Sequence, residues 1–383
     1  MTAASVLIPL WNRTAEWDRR LAMVQQARSF LYLSTYYVEY DAYGTAMLSA
    51  LIAAQRRGVA VNLLIDAFGQ RLGGVLMSPA DRTALAALLD DLRRSGGIVT
   101  TYQPRHVTQQ WLGGGQHVKI QVSEAGEALF GSSNLSHSSF ERWNEYSVSL
   151  RGPVVRVLLE SYRAIGGHVD ESHLRDLVDG DDGGTADLAL EYWLCNPNTQ
   201  QGVFGPIGWR GPNVVTDRLA DRIADARESI WLTSFYFKPV EPLLTALMAA
   251  ARRGVEVEVH HSHRDALPAT DLAWIAAAAH YDRLLAAGVR VYENRRGEHS
   301  KIVLIDGEWV AFGSYNFEHA AHDRLAEAML VSRDPRATQP AADIFAELRQ
   351  HPDNLLVTQQ ALDSLPGWLQ GRRRLLGPFK RWM

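Results

Sequence analysis

An internal repeat is the feature that most limits the folds open to this chain. The segments Ala27–Val38 (ARSFLYLSTYYV) and Ala226–Phe237 (ARESIWLTSFYF) match in residue type, and their β-branched and aromatic content predicts buried strands. In each copy a helical stretch follows and ends in Arg-Arg-Gly-Val, where the glycine suits a helix C-terminal cap. With 383 residues, the chain is long enough for two domains that each bury a core. The long period predicts two duplicated domains and not a solenoid.

The order of elements within each copy predicts the fold class. Strands and helices alternate, which is typical of an α/β fold with a mixed, largely parallel sheet flanked by helices. Ser78-Pro79 is a typical helix start, and we expect the counterpart helix over about 271–287. An acidic, glycine-rich run predicts a linker between the copies. The predicted division is a first domain at 1–178, a linker at 179–186, a second domain at 187–350 and a C-terminal segment at 351–383.

Both copies carry the same polar motif after their third strand. An HxK triplet is followed by a carboxylate, then by GSxN, and a glutamate stands eleven residues beyond the asparagine. In an extended chain the His and Lys of HxK point to the same side. The first copy supplies His117, Lys119, Glu124, Ser132, Asn134 and Glu145, and the second supplies His299, Lys301, Asp306, Ser314, Asn316 and Glu327.

These paired motifs resemble those of the phospholipase D superfamily, whose pattern is HxKxxxxD followed by GSxN. The resemblance extends from about residue 20 to 335, and the chain is most similar to bacterial cardiolipin synthases that lack N-terminal membrane spans. It implies two phospholipase D-like domains related by a pseudo-twofold axis around one shared active site. The first copy departs from the pattern at Glu124, where the family has aspartate.

The motif residues suit phosphodiester chemistry. One histidine can attack phosphorus and form a phosphohistidine, while the other protonates the leaving alcohol and then deprotonates the incoming one. The symmetry of the copies leaves that order open, and the resemblance implies that His117 is the nucleophile and His299 the general acid/base. We expect no metal and no cofactor, because the lysine ammonium groups supply the positive charge.

The other motif residues are expected to support the histidines and lysines. The asparagines and serines are predicted to bind the phosphoryl oxygens together with the lysines. The resemblance implies that Glu145 and Glu327 hold the second imidazole nitrogens, and it places Glu124 and Asp306 behind the directly reacting groups.

The predicted function is that of a cardiolipin synthase-type phosphatidyltransferase. Such an enzyme moves a phosphatidyl group from a phospholipid to a lipid alcohol such as phosphatidylglycerol. Hydrolysis to phosphatidic acid is the nearest alternative, because it differs only in whether water attacks the phosphohistidine. A nuclease would need a basic groove, whereas the net charge is −4, so no nucleic-acid partner is expected. A scaffold without activity is disfavoured because every key His, Lys and Asn is present.

The remaining sequence signals concern location. A single cysteine, Cys195, fits a reducing compartment, and neither a signal peptide nor a run of about 18 apolar residues is present. The tail Trp368–Trp382 has five basic and no acidic residues among Trp, Leu and Phe. Such a tail either anchors the chain to a membrane surface or packs on the second domain. We expect a cytoplasmic protein, peripheral on the inner face of the cell membrane. The lipid donor, the acceptor and the oligomeric state stay open.

Overall fold

The computed structural model describes residues 1–179, 185–199, 204–205, 208–209, 211–267 and 271–376. Residues 180–184 of the predicted linker and 377–383 of the predicted tail lie outside the described residues. The strands are β1 (Thr2–Ala4), β2 (Val6–Leu10), β3 (Phe30–Thr35), β4 (Ala60–Asp66), β5 (Ile98–Tyr102), β6 (Gly115–Gln116), β7 (Lys119–Ser123), β8 (Glu127–Gly131), β9 (Ser147–Arg151), β10 (Leu188–Cys195), β11 (Phe204–Gly205), β12 (Gly208–Trp209), β13 (Ser229–Ser234), β14 (Glu256–Ser262), β15 (Arg290–Asn294), β16 (Ile302–Ile305), β17 (Trp309–Gly313), β18 (Leu325–Ser332) and β19 (Asn354–Leu356).

The helices lie between and after these strands. The α-helices are α1 (Arg13–Gln26), α2 (Ala42–Arg56), α3 (Ala67–Leu76), α4 (Pro79–Arg94), α5 (Val107–Trp111), α6 (Val154–Ala164), α7 (Glu171–Asp179), α8 (Val214–Asp225), α9 (Glu241–Arg252), α10 (Leu272–Ala278), α11 (Tyr281–Ala286), α12 (His319–Asp323), α13 (Pro335–Gln350), α14 (Gln359–Asp363) and α15 (Gly367–Leu376). A π-helix at Ser138–Arg142 and a 3-10 helix at Arg264–Ala266 complete the set.

The two copies of the repeat form two sheets with the same strand order. The first sheet runs β2-β9-β8-β7-β3-β4-β5, and the second runs β1-β10-β18-β17-β16-β13-β14-β15-β19 with β6 paired to β18. The six strands β9-β8-β7-β3-β4-β5 therefore correspond to β18-β17-β16-β13-β14-β15. This correspondence confirms the duplicated α/β fold that the repeat predicted.

In both sheets, fewer strand pairs are parallel than the sequence pattern suggested. Parallel pairing joins β3 to β4 and β4 to β5 in the first sheet, and β13 to β14 and β14 to β15 in the second. The strand that follows HxK lies antiparallel to the first strand of its copy, and its hairpin partner returns antiparallel to it. Each sheet is thus mixed, with parallel strands on one side of the motif hairpin and antiparallel strands on the other, apart from the short β6, which pairs in parallel with β18.

The helix predictions are confirmed in the first copy and partly wrong in the second. Helix α4 begins with the predicted Ser78 cap, and Ser78 and Asp81 form a reciprocal capping box. The helix expected over 271–287 is instead two helices, α10 and α11. The break occurs where the His280 amide bonds to the carbonyl of Ala277, three residues back, so the α-helical hydrogen-bond register is interrupted.

The two halves share one of the hydrophobic core clusters, while two other large clusters lie within a single half each. A single buried cluster contains Phe130 and Tyr146 of the first half together with Ile302 and Phe312 of the second. The rings of Tyr146 and Phe312 meet edge to face with centroids 5.4 Å apart. Strand β1 also pairs with β10, so the start of the chain adds to the second sheet. The sheets are therefore joined by packing and by strand exchange.

Candidate active site

Each HxK segment lies at the start of a strand and hydrogen-bonds to the other half of the molecule. His117 lies between β6 and β7, and its amide donates to the carbonyl of Ala326 at 2.8 Å. His299 precedes β16, and its amide donates to the carbonyl of Asn144 at 2.8 Å. The two motifs consequently face one another across the contact between the sheets.

The histidines are held crosswise by glutamates from the opposite copy. Nδ1 of His299 lies 2.8 Å from Glu145, and Nδ1 of His117 lies 3.0 Å from Glu327. A carboxylate at Nδ1 keeps the proton there and leaves Nε2 to face a reacting atom. All four side chains are buried. Neither copy therefore contains a complete site, and the two copies together form one.

The serines of GSxN lie behind the glutamates. The Ser132 hydroxyl donates to Glu145, and the Ser314 hydroxyl donates to Glu327, each at 2.5 Å. Each hydroxyl also accepts a backbone N–H, from Tyr146 and Ala328 respectively. Each hydroxyl proton is thus directed at a glutamate. The phosphate-binding role of the two serines stays a prediction.

The two asparagines differ in how their amide groups are used. The Asn134 oxygen accepts the backbone N–H of Tyr36 at 3.3 Å, while its Nδ2 is buried and has no hydrogen-bond partner among the described residues. The Asn316 oxygen accepts the N–H of Phe235 at 3.2 Å, and its Nδ2 donates to Glu318 at 3.3 Å. Asn134 thus offers an open donor next to Tyr36, whose ring touches His117, and an amide N–H is the kind of donor a phosphoryl oxygen needs.

The two lysines are buried and fold back onto their own motifs. Nζ of Lys119 donates to the carbonyl of His117 at 2.5 Å, and Nζ of Lys301 donates to the carbonyl of His299. Burial lowers the pKa of Lys119 well below its ordinary value, and it lowers the pKa of Lys301 to about 8 although buried carboxylates oppose this. A bound anion would relieve that cost by stabilising the ammonium forms.

The imidazoles are neutral near pH 7 in the unliganded site. Burial lowers the pKa of His117 well below its ordinary value and that of His299 to about 3, and the nearby lysines act in the same direction. Burial also raises the pKa of Glu327 to about 8. Burial acts to raise the pKa of Glu145, but His299 and Lys301 hold it at about 2, so this carboxylate keeps the His299 proton on Nδ1 and leaves Nε2 of that ring unprotonated.

Three aromatic rings around the histidines were not singled out from the sequence. Tyr36 meets His117 edge to face at 4.7 Å, and Phe235 meets His299 in the same way at 4.7 Å. Trp143 stacks on His299 at 4.9 Å. Tyr36 and Phe235 occupy equivalent positions in the repeated strand segments, so the repeat itself held the signal for two of the rings. Trp143 breaks the symmetry, and no repeat signal marks it.

Glu124 and Asp306 lie at the far ends of the motif hairpins. Asp306 accepts the backbone N–H groups of Arg227, Glu228 and Ser229 at 2.8–3.0 Å. Glu124 accepts the N–H of Arg28, the equivalent residue of the first half. At the rise of a strand this is roughly 20 Å from the histidine of the same motif. Both carboxylates fasten a hairpin to the start of a neighbouring strand, and the longer glutamate retains that contact.

The sequence was also compared with known proteins. Residues 21–166 and 219–349 match the family described as "Cardiolipin synthase, PLD-like domain". The chain belongs to this family. Each matched range contains one complete motif, so each copy of the repeat is a PLD-like domain.

Relatives of the family are similar over most of the chain. A cardiolipin synthase of Geobacillus kaustophilus is 27% identical over 332 residues, covering 83% of this chain and 61% of that protein. A probable cardiolipin synthase of Bacillus subtilis is 24% identical over 344 residues, covering 87% of this chain and 63% of that protein. The chain thus spans about three-fifths of the length of these relatives.

Solved structures share the fold at low sequence identity. The phosphatidylserine synthase of Haemophilus influenzae superposes with a TM-score of 0.73 at 13% identity, covering 100% of this chain and 95% of that one. The polyphosphate kinase of Porphyromonas gingivalis gives a TM-score of 0.57 at 16% identity, covering 99% and 53%. Among the residues that the structure describes, none of the helices combines the length and apolarity needed to cross a bilayer.

Proposed function

We propose that the protein is a phosphatidyltransferase of the cardiolipin synthase type. The observation that carries this proposal is the crosswise arrangement in which Glu145 holds His299 and Glu327 holds His117. It brings together two imidazoles and two buried lysines, and Asn134 adds an amide donor that has no hydrogen-bond partner among the described residues. Membership of the PLD-like family supports a phosphodiester as the reacting group.

In the first half-reaction, Nε2 of His117 attacks the phosphorus of the donor phospholipid. A phosphorus–nitrogen bond forms, the bond to the headgroup oxygen breaks, and His299 donates its Nε2 proton to the leaving alcohol. The negative charge of the phosphodiester and the Glu145 carboxylate at 2.8 Å both favour the protonated form of His299 that this step requires.

In the second half-reaction, the now neutral His299 removes the proton from the hydroxyl of a lipid alcohol. That oxygen attacks phosphorus, the bond to His117 breaks, and the phosphatidyl group is transferred. Lys119, Lys301 and the Asn134 amide stabilise the charge on the phosphoryl oxygens in both steps. The reaction balances without a metal, because each proton that His299 gives is recovered from the acceptor.

We further propose that the protein acts at the inner face of the cell membrane as a cytoplasmic, peripheral protein. Exposed Trp368 and Leu375 in α15 support a membrane role for the C-terminal segment. The same helix also packs on the second half, since Leu369 is fully buried and Arg373 pairs with Asp282 at 2.6 Å. The tail is thus partly a packing element.

The domain limits at 178, 187 and 350 remain predictions.

Product analysis tests the proposed reaction directly. Purified protein is incubated with labelled phosphatidylglycerol, and the products are resolved by mass. Cardiolipin together with glycerol is the expected result. Phosphatidic acid without cardiolipin would mean that water is the acceptor, which would replace transfer by hydrolysis. Failure to turn over any phospholipid, together with cleavage of DNA, would overturn the lipid assignment.

A further inference from the structure

Helix α3 has its small residues inside and its large apolar residues outside. A Cβ atom at Gly69 would lie 2.4 Å from the carbonyl oxygen of Tyr36, and one at Gly73 would lie 2.9 Å from the ring of Tyr37. On the opposite side Leu72 and Val75 are 49% and 67% exposed. A surface helix of a soluble protein has the reverse pattern. Helix α3 is therefore placed tightly against the protein by glycines, while its apolar side chains point away from the core.

A second short helix extends this apolar surface. Val107 and Trp111 of α5 are four residues apart and share one side, and Trp111 is 85% exposed. A cavity of about 380 Å³ lies between the two helices. Its lining includes Phe68 and Arg71 of α3 and Val107 and Trp111 of α5, together with the polar side chains of Gln103 and Gln110. We call this surface the α3–α5 face, and it comprises Arg71, Leu72, Val75, Leu76, Val107 and Trp111.

The second copy of the repeat covers the corresponding region. Between its second and third strands lie α10 and α11, and Trp274 and Ile275 of α10 are buried in the core. Leu369 of α15 belongs to the same core cluster and is fully buried. In the first copy α3 occupies the position after the second strand and keeps its apolar side chains exposed.

The α3–α5 face is connected to the catalytic groups through short contacts. Tyr36, against which α3 packs, also touches the His117 ring at 4.7 Å. Asp66 caps the start of α3 and accepts the backbone N–H of Gln116 at 2.8 Å, one residue before His117. Gly114 lines the cavity and directly precedes β6, the strand that contains Gln116. Whatever binds on this face lies one helix away from the phosphodiester site.

The charge of the face indicates what covers it. The segments 67–76 and 103–117 contain Arg71 and Arg105 and no acidic residue, in a chain with a net charge of −4. Exposed tryptophan and leucine beside arginine is the combination that settles at a bilayer interface, with cations at anionic headgroups and apolar groups at the acyl boundary.

We propose that the α3–α5 face is the surface by which the protein sits on a bilayer containing anionic phospholipid. The cavity between the helices then receives acyl-chain segments of lipids whose phosphates reach His117 and His299. This inference rests on the proposed function for the identity of the lipid, but membrane docking can be measured without turnover. It adds to the tail a second contact that lies beside the site itself.

A matched pair of substitutions tests docking. Leu72 of the face and Leu356 of β19 are each 49% exposed, so Leu72→Glu and Leu356→Glu add the same charge at the same exposure. Binding is measured by co-sedimentation with phosphatidylcholine vesicles that contain phosphatidylglycerol. We expect Leu72→Glu to weaken binding about tenfold, because a leucine side chain is lost from the apolar interface. Leu356→Glu should bind as the unsubstituted protein does.

A fluorescent label tests whether the face enters the interface. Cys195 is buried, and burial raises the pKa of its thiol to about 12, so surface cysteines can be labelled selectively. An environment-sensitive dye is attached to Trp111→Cys or to Leu356→Cys. Vesicles should shift the emission to shorter wavelength for the label at position 111 and leave the label at position 356 unchanged.

Other results would overturn the proposal or identify a different occupant of the α3–α5 face. Unchanged binding of Leu72→Glu, an equal loss in Leu356→Glu, or an unshifted label at position 111 would each overturn the proposal. A change from dimer to monomer on Leu72→Glu, without loss of vesicle binding, would mean that a second copy covers the face. Failure of lipid turnover with intact docking would instead count against the proposed reaction alone.

Discussion

At the residue scale, the crosswise pairing makes each glutamate a positioning residue for the histidine of the other copy. Glu145 and Glu327 are fully buried, and each also accepts a hydroxyl proton, from Ser132 and Ser314 respectively. The carboxylate fixes the imidazole proton on Nδ1 and stabilises the cation that forms during proton transfer. Removing that charge should therefore impair the chemistry more than it impairs folding.

We predict that Glu145→Gln lowers kcat on phosphatidylglycerol by about 10- to 100-fold, the effect typical of losing a carboxylate behind a functional imidazole. The amide keeps the shape but not the charge, so the protonated form of His299 is less favoured. Because His299 must be protonated to act as the acid, the alkaline limb of the pH profile should move to lower pH. Glu124→Gln is the matched control, because Glu124 lies at the hairpin end. Equal kcat values and unchanged pH profiles in both variants would argue against crosswise positioning.

The lysines predict a pH dependence. Burial lowers the pKa of Lys301 from 10.5 to about 8, so this side chain is cationic below pH 8 and neutral above it. The positive charge that we propose binds the phosphodiester is therefore present below that pH and lost as the pH rises through it. We expect kcat/KM for phosphatidylglycerol to fall above about pH 8, and Lys301→Arg, if active, to lack this fall. A flat profile up to the ordinary lysine pKa would contradict the assignment.

At the element scale, a carboxylate holds each motif hairpin to the start of a neighbouring strand, and the two carboxylates accept different numbers of hydrogen bonds. Asp306 accepts three backbone N–H groups, and these hold its pKa below the ordinary value although partial burial acts to raise it. Glu124 accepts the N–H of Arg28, and its second oxygen is buried without a hydrogen-bond partner among the described residues. The departure from the family pattern at Glu124 thus lies at the contact between the hairpin and the start of β3.

We predict that Asp306→Ala lowers the free energy of unfolding by about 1–3 kcal/mol, because it leaves three N–H groups without their acceptor. Glu124→Ala, the equivalent change in the first half, should cost less, since it removes one such bond. Urea unfolding of both variants measures the difference. A larger loss for Glu124→Ala would show that the two hairpins are not fastened as described.

The elements also show what the sequence could and could not predict. Local patterns were sufficient for the Ser78 cap and for the strands of the repeat. The pairing of Glu145 with His299 joins residues 154 positions apart, and no local pattern encodes it. The second copy resembles the first in sequence order, yet its helix broke at His280 because hydrogen-bond register depends on tertiary packing. Helix α3 differs from the usual pattern of a surface helix in a soluble protein, because glycines line its buried side. This difference was likewise visible only once the contacts of α3 with Tyr36 and Tyr37 were known.

At the scale of the whole molecule, the two copies are parts of one catalytic unit. The first strand of the chain completes the second sheet, β6 pairs with β18, and the rings of Tyr146 and Phe312 meet in a core that both halves share. The same arrangement places one histidine, one lysine and one glutamate from each copy in a common site. Two independent centres would form only if each copy contained its own complete set of these residues.

The direct test of this account is the turnover of labelled phosphatidylglycerol by His117→Ala and by His299→Ala, measured separately against the unsubstituted protein. If the site is single and shared, each substitution should lower turnover by at least about a thousandfold, because residues that act as a unit fail together. Circular dichroism and urea unfolding would check that both variants remain folded. If either folded variant kept about half of the activity, as two independent sites would give, the shared site would be contradicted.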